Sequence, residues 1–335
     1  MTAPRIGDLA QLHLFRAQAG RLRSDLAARG QELSTGQAAD VARHLGGDTA
    51  RLAALDRDLA LSEPLRRNQA EAAARATAMQ AALGRVRETT ETLTATVRAA
   101  AQGNLPAGTA AASEAARGAF AEIASALDTA VAGRSLFAGA APQGPALAPA
   151  EEMLDALRGA IGTETEAQAI ADIVGDWFAP GGGFEAVGYR GADTPASPVP
   201  LGNGAGASLD IRADDPALRG TLAATALAAL ADDPALEVPP GTTDALLDRA
   251  GAALTASGEP LTELRARLGV EEARIERAGA RLAAAREGAE TARAALVEVD
   301  GYEAATRMQA LGQNLESLYA VTARLSRLTL LEALR

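Results

Sequence analysis

The sequence contains no cysteine. Its absence excludes disulfides, zinc–thiolate sites, iron–sulfur clusters and a thiol nucleophile. Lysine is missing as well: all 32 residues of the Lys and Arg class are arginine. There is no amine for a Schiff base and no lysine for a phosphate-binding loop. The two histidines, His13 and His44, are too few for a histidine-rich metal site. Aromatic residues make up only 3% of the 335 residues, so Ala and Leu supply the apolar surface. Such a chain favours helix on helix over a thick sheet sandwich. No apolar run reaches the roughly 18 residues that a bilayer span needs, so no membrane partner is expected. The stretch from Met1 to Asp8 lacks the basic and apolar regions of a cleaved signal peptide.

Charge is plentiful but uneven. The chain carries a net charge of −11, and residues 141–250 hold 17 Asp and Glu against 5 Arg. Without a basic face, a nucleic-acid partner is not expected. The acidic middle reads as a solvated, self-repelling surface. The length suggests about two domains.

The two ends have helical periodicity and the middle does not. Leu12, Phe15, Ala19, Leu22 and Leu26 recur at steps of three and four, a single helical stripe. Leu33-Ser34-Thr35-Gly36 interrupts it, and Asp48 is a candidate N-cap for a second helix bearing Leu52, Leu55 and Leu59. Pro64 either sits in the first turn of a new helix capped by Ser62 or kinks one long helix. Gly103-Asn104-Leu105-Pro106 is a stop signal, and a third helix carries Phe120, Ile123, Leu127 and Val131 to near Gly133. Between 134 and 240, Pro and Gly become frequent. Short helices are expected over 150–160 and 164–178, and strands over 184–189, 199–201 and 208–212, with Gly202-Asn203-Gly204 as a hairpin turn between the last two. Asp-Asp-Pro-Ala-Leu occurs at Asp214 and again at Asp232, each reading as an N-cap with Pro in the first turn. Thr243 is expected to cap a helix ending at Gly258. A heptad pattern follows from Pro260, with Leu268, Ile275, Leu282, Ala289 and Leu296 in one position and Leu264, Glu271, Ala278, Ala285, Ala292 and Val299 in the other. After a break at Asp300-Gly301 the stripe resumes with Leu311, Leu315, Leu318, Val321, Leu325 and Leu328.

Chemical sites do not emerge. His44 has Asp40 and Asp48 nearby, but two carboxylates and one imidazole in a loop read as surface, and His13 as a helix residue. Asp214, Asp215, Asp232 and Asp233 are explained by capping rather than acid–base work. Gly202-Asn203-Gly204-Ala205-Gly206 has no following lysine and reads as a turn. Trp177-Phe178 reads as the small core of the middle region. No catalytic residue, metal or cofactor is expected.

The terminal stripes carry the functional reading. Two amphipathic helices can pair antiparallel, yet they cannot cover each other's whole apolar circumference. Each leucine left in water forfeits about 1.5–3 kcal/mol of burial. The surplus, Leu12, Phe15, Leu22 and Leu26 at one end and Leu311, Leu315, Leu318, Leu325, Leu328 and Leu331 at the other, is expected to pack against other subunits. An ordinary intramolecular bundle is the alternative.

These segments also resemble a family. Glu32-Leu33-Ser34-Thr35-Gly36 after an N-terminal amphipathic helix is similar to the Leu-Ser-Thr/Ser-Gly signature of bacterial flagellins and hook-associated proteins. Gly133-Arg134-Ser135-Leu136-Phe137-Ala138-Gly139 resembles their Leu-Phe-Ala-Gly hairpin, and Asp300 through Leu334 their terminal helix. The resemblance covers about residues 1–140 and 245–335. It implies a mainly α fold: long antiparallel coiled-coil helices from both chain ends, with a small α+β middle domain. It further implies a terminal assembly domain of residues 1–35 and 301–335, a helical bundle of 36–140 and 241–300, and an outward-projecting domain of 141–240. The implied role is a non-enzymatic structural subunit joining hook to filament in the bacterial flagellum, with the main filament subunit as the alternative. The implied partners are further copies of the chain, another hook-associated protein on the hook side, flagellin on the filament side and an export chaperone. The implied location is extracellular, reached by type III export without signal cleavage. The terminal helices of such proteins are typically disordered in the free monomer.

Overall fold

The computed structural model describes residues 6–103, 106–202 and 204–333, with side chains described for 10–11, 13–102, 107–202 and 204–325. It is 75% helical, which settles the class as mainly α. Helix α1 (Ile6–Thr35) leads to a single turn, α2 (Val41–His44), and then to α3 (Ala50–Gly103) and α4 (Pro106–Leu127). A short hairpin follows, β1 (Ala130–Val131) with β2 (Arg134–Ser135). Next come α5 (Ala150–Ile161), α6 (Ala167–Phe178) and a π-helical turn over Phe184–Gly188. A second antiparallel hairpin pairs β3 (Val199–Gly202) with β4 (Ala205–Ala207). Helices α7 (Pro216–Leu230), α8 (Pro240–Val297) and α9 (Gly301–Ala333) complete the chain.

The chain divides into two compact units, residues 1–63 with 283–335, and residues 64–282. The second has a continuous core. Met79, Leu83, Val86, Leu93 and Val97 of α3, Phe120, Ile123 and Leu127 of α4, and Leu254, Leu261, Leu264, Leu268 and Ile275 of α8 are all buried in it. Trp177, Phe178 and Phe184 stack into the same core, with Trp177 and Phe178 edge-to-face at 4.7 Å between ring centres. Trp177 and Phe178 are core residues as expected, but of this one continuous core rather than of a small separate one in the middle region.

Several boundaries differ from the sequence reading. Helix α8 does not stop at Gly258. It runs from Pro240, past Thr243, through Gly258 and Pro260. Pro64 lies inside α3, so of the two readings of that residue the single long helix holds and the new helix capped by Ser62 does not. A proline within a helix removes a backbone donor. In both helices a buried serine just upstream bonds a nearby carbonyl: Ser62 Oγ to Leu59 O and Ser257 Oγ to Leu254 O, each at 2.7 Å. Residues 184–188 form a π-helical turn rather than a strand, and Tyr189 alone makes an antiparallel bridge, to Leu147; just before the turn, a Cβ on Gly183 would come within 2.1 Å of the Trp177 indole nitrogen. Residues 208–212 are not the returning strand either. Gly202 pairs directly with Ala205, so the partner strand starts immediately after the turn, and the Ser208 amide donates to the Glu271 carboxylate instead, 2.9 Å. Asn203 of that turn lies outside the described residues. Helix α4 ends at Leu127, short of Val131, because Ala132 and Gly133 take positive φ (51° and 75°), the two-residue turn that closes a hairpin. Of the two Asp-Asp-Pro copies, only the first starts a helix: Asp215 caps α7 by accepting from Ala217 N at 3.0 Å, while Asp233 accepts from Ala235 N in a turn.

A candidate assembly surface on the paired terminal helices

Helix α1 enters its C-terminus through the Leu-Ser-Thr-Gly segment. Gly36 takes φ +70° and its amide donates to Glu32 O at 2.8 Å, the left-handed C-cap that ends a helix. Thr35 Oγ1 bonds Gln31 O at 2.8 Å and accepts from the Gln37 amide at 3.2 Å. The chain then leaves extended and pairs with the α8–α9 junction: Ala38 N donates to Val297 O at 2.8 Å, and Val299 N to Gly36 O at 3.0 Å. Buried Glu32 holds this loop from inside, accepting from Ala39 N at 3.2 Å and from Arg29 at 2.6 Å. Asp300 caps α9 by accepting from Tyr302 N at 2.8 Å.

From that clamp, α1 and α9 run side by side. Gly36 meets Val299, Leu26 lies against Gly312, and Arg23 meets Tyr319. Numbers fall along one helix as they rise along the other, so the pair is antiparallel. Arg23 Nε donates to the Tyr319 hydroxyl at 2.8 Å, and its guanidinium lies 5.5 Å from that ring's centre. Nothing in local periodicity announces the Arg23–Tyr319 contact or the strand-like clamp, since both join residues hundreds of positions apart.

The expected interface residues fall along this pair. Phe15, Leu22, Leu26, Leu311, Leu315 and Leu318 are half-buried, and Leu325 is exposed. The side chains of Leu12, Leu328 and Leu331 lie outside the described residues. Leu14, Leu33, Tyr302, Tyr319 and Val321 are exposed too, Tyr302 by 83%. Among the described residues of this unit, the fully buried hydrophobics are Ala38, Val297 and Ala304. Among its described residues the unit therefore has seams but no broad apolar interior.

Beside the clamp lies a charged cleft of about 290 Å³, lined by Asp25, Arg29, Glu32, Asp40, Arg43, His44, Glu303 and Arg307 among others. Its arginines are satisfied internally: Arg29 by Glu32, Arg43 by Asp40 at 3.2 Å, and Arg307 by Glu303. Among the described residues no three His, Asp or Glu side chains are placed to hold a metal, and no helix is long and apolar enough to cross a membrane. His13 and His44 are exposed. Asp214, considered above for acid–base work, is held in a forked ion pair by Arg212, two contacts of 2.7 Å, and Asp233 is bonded by Arg158 at 2.8 Å.

Helices from opposite ends of the chain, clamped together at residues 36–38 and 297–299 and paired side by side, define a class of mainly α protein with paired terminal helices. The family model for the bacterial flagellin N-terminal helical region matches residues 12–141, and that for the bacterial flagellin C-terminal helical region matches residues 251–334. Together they span more than half of the sequence, and the chain belongs to the flagellin family, a structural component of the bacterial flagellum. A solved structure described as a flagellar hook-associated protein from Vibrio parahaemolyticus shares the fold, with a TM-score of 0.52 and 12% identity, over 73% of this chain and 95% of that one. No curated protein matches at a significant level.

Proposed function

We propose that this chain joins hook to filament, incorporating by side-to-side and end-to-end packing of its terminal helices with those of neighbouring copies. The observation that carries this reading is the terminal unit itself: paired helices whose described leucines are half-buried or exposed, in a unit where, among the described residues, the buried hydrophobics are Ala38, Val297 and Ala304. The likeness to a hook-associated fold supports the junction role. Residues 1–35 and 301–335 form the assembly domain, residues 36–140 and 241–300 the bundle, and residues 141–240 the outward-facing part. Phe15, Leu22, Leu26, Leu311, Leu315, Leu318 and Leu325 supply the contact, with Leu12, Leu328 and Leu331. A hook-associated protein lies on one side and flagellin on the other, after export through the flagellar type III channel with an export chaperone and without signal cleavage. The match to the flagellin terminal-region models favours a second reading, the main filament subunit. Immunogold labelling of intact flagella separates the two: one thin band at the hook tip is expected, and label along the whole filament would replace the junction role by the filament role. Deletion of residues 1–35 is expected to give secreted protein that never enters the flagellum; full motility in that deletion would overturn both readings.

A further inference from the structure

Charge along the α1–α9 pair is sorted by end. At the clamp end, the lining of the charged cleft holds six carboxylates against three arginines, a net −3. The three arginines are paired with Glu32, Asp40 and Glu303, and Asp300 is taken up by the cap of α9. Asp25 and Glu298 remain. Both are exposed, and among the described residues neither carboxylate has a partner.

The far end has the opposite sign. Residues 10–24 of α1 and 308–325 of α9 carry Arg16, Arg21, Arg23 and Arg324 against Glu316 alone, a net +3. Arg23 is held by Tyr319. Arg16, Arg21 and Arg324 are exposed, and among the described residues none of these three guanidiniums has an acceptor. Five residues past Tyr319 in an antiparallel pair, Arg324 comes level with the α1 turn after Arg16, so the two guanidiniums share one end. Arg16 lies twenty residues from Gly36 at the clamp, about 30 Å along the helix. In sequence, residues 1–9 and 326–335 add three arginines against two carboxylates, which leaves the sign unchanged.

Two copies laid side by side in register would set arginine beside arginine and carboxylate beside carboxylate. A shift of about 30 Å along the helix axis removes both conflicts and brings the unpaired guanidiniums onto the unpaired carboxylates. Charge complementarity thus selects a second copy of this chain as the occupant of the outer face. We propose that the α1–α9 pair docks head to tail, the Arg16–Arg324 end of one copy seated on the cleft beside the next copy's clamp. This rests on the self-assembly reading above and adds the register to it: apolar stripes tolerate sliding, whereas charges sorted by end fix both offset and direction. The contact is heterologous, so each copy keeps one end of each kind free for a further neighbour. A two-fold antiparallel pair would match the same charges but would close on itself and stop growth.

The test uses the full-length chain in cells lacking their own copy, measuring the fraction of secreted protein recovered in sheared flagella. Arg16→Glu with Arg324→Glu, and separately Asp25→Arg with Glu298→Arg, are each expected to lower that fraction about tenfold. All four substitutions joined in one chain restore opposite signs at the contact, and the fraction is expected to return to within about twofold of wild type. The four positions are exposed, so the thermal midpoints of the purified variants are expected to stay within about two degrees of wild type. Wild-type protein absent from flagella would overturn the assembly reading. Wild-type protein present, with both charge-reversed pairs equally present, would overturn the head-to-tail contact alone. Two losses that the joined chain does not reverse would overturn it as well. A second arm uses the absence of native cysteine. Arg16→Cys with Glu298→Cys sets two thiols too far apart to bond within one chain. Oxidation of assembled flagella is expected to give a ladder of covalent oligomers. Dimers alone would mean a closed two-fold pair, and monomer alone with incorporation intact would mean another register; either result would overturn head-to-tail docking.

Discussion

Two glycines with the same backbone sign carry different loads. Gly36 and Gly139 both have positive φ, 70° and 61°. A Cβ at Gly36 would meet open space, whereas at Gly139 it would come 2.7 Å from Thr194 O and 2.8 Å from Ala192 O. Gly36→Ala is expected to cost only the left-handed penalty, about 1–2 kcal/mol. Gly139→Ala adds a clash with two carbonyls that cannot rotate away, and is expected to lower the thermal midpoint by clearly more. Chemical denaturation of the two variants side by side measures the difference. Tyr189 offers a pH test. Its hydroxyl donates to Ala192 O at 3.0 Å, and burial, reinforced by Asp214, pushes its pKa up to about 12 from 10.0. A raised pKa means that the unfolded chain gives up its proton first. The stabilisation is complete below pH 10 and is lost as pH rises through 12, a loss of about 2–3 kcal/mol. Tyr189→Phe is expected to flatten that alkaline decline in a stability titration while costing about 1 kcal/mol at neutral pH for the lost hydrogen bond. A decline equally steep in the variant would assign it to other groups.

Among the elements, those with caps and stripes were legible. The Asp48 cap stands where the sequence places it, accepting from Ala50 N at 3.2 Å, and the break read at Asp300-Gly301 falls where α9 begins. The heptad leucines of α8 are buried up to Ile275 and Ala278 and half-covered from Leu282 onward. Periodicity gave the stripe but no sign of where its cover ends, because cover is a property of neighbours. The Gly258–Pro260 stop was misread for a related reason. A glycine and a proline together disfavour helix by about 4 kcal/mol. Burying Leu254, Leu261, Leu264 and Leu268 on one continuous face outweighs that, and no local window contains the sum. The clamp between residues 36–38 and 297–299 was invisible because two-residue strands have no period. An element-scale prediction follows from the half-covered face. Replacing Leu315, Leu318 and Leu325 by Asp is expected to abolish incorporation into flagella while changing the thermal midpoint of the free chain by no more than a degree or two. A large drop in that midpoint would place these leucines in an internal core.

At the scale of the whole molecule, interior is distributed unequally. Residues 64–282 hold nearly all the fully buried hydrophobics, from Ala72 to Ala278. Among the described residues of 1–63 and 283–335, the buried hydrophobics are Ala38, Val297 and Ala304. Local opening free energy scales with buried apolar contact. Amide exchange of the isolated chain is expected to be fast in α1 and α9 and slow in α4, α7 and the buried stretches of α3 and α8. After incorporation, protection in α1 and α9 is expected to rise toward that of the bundle. Equal, slow exchange throughout the isolated chain would contradict the reading. The same inequality has a mechanical side. Parting α1 from α9 uncovers little that was dry, so a pull on the two chain ends should first peel those helices apart at low force and reversibly. The interior-bearing portion should rupture later, in a separate and higher step. The molecule thus carries its own slack, a length of chain that yields under load before anything irreplaceable is lost.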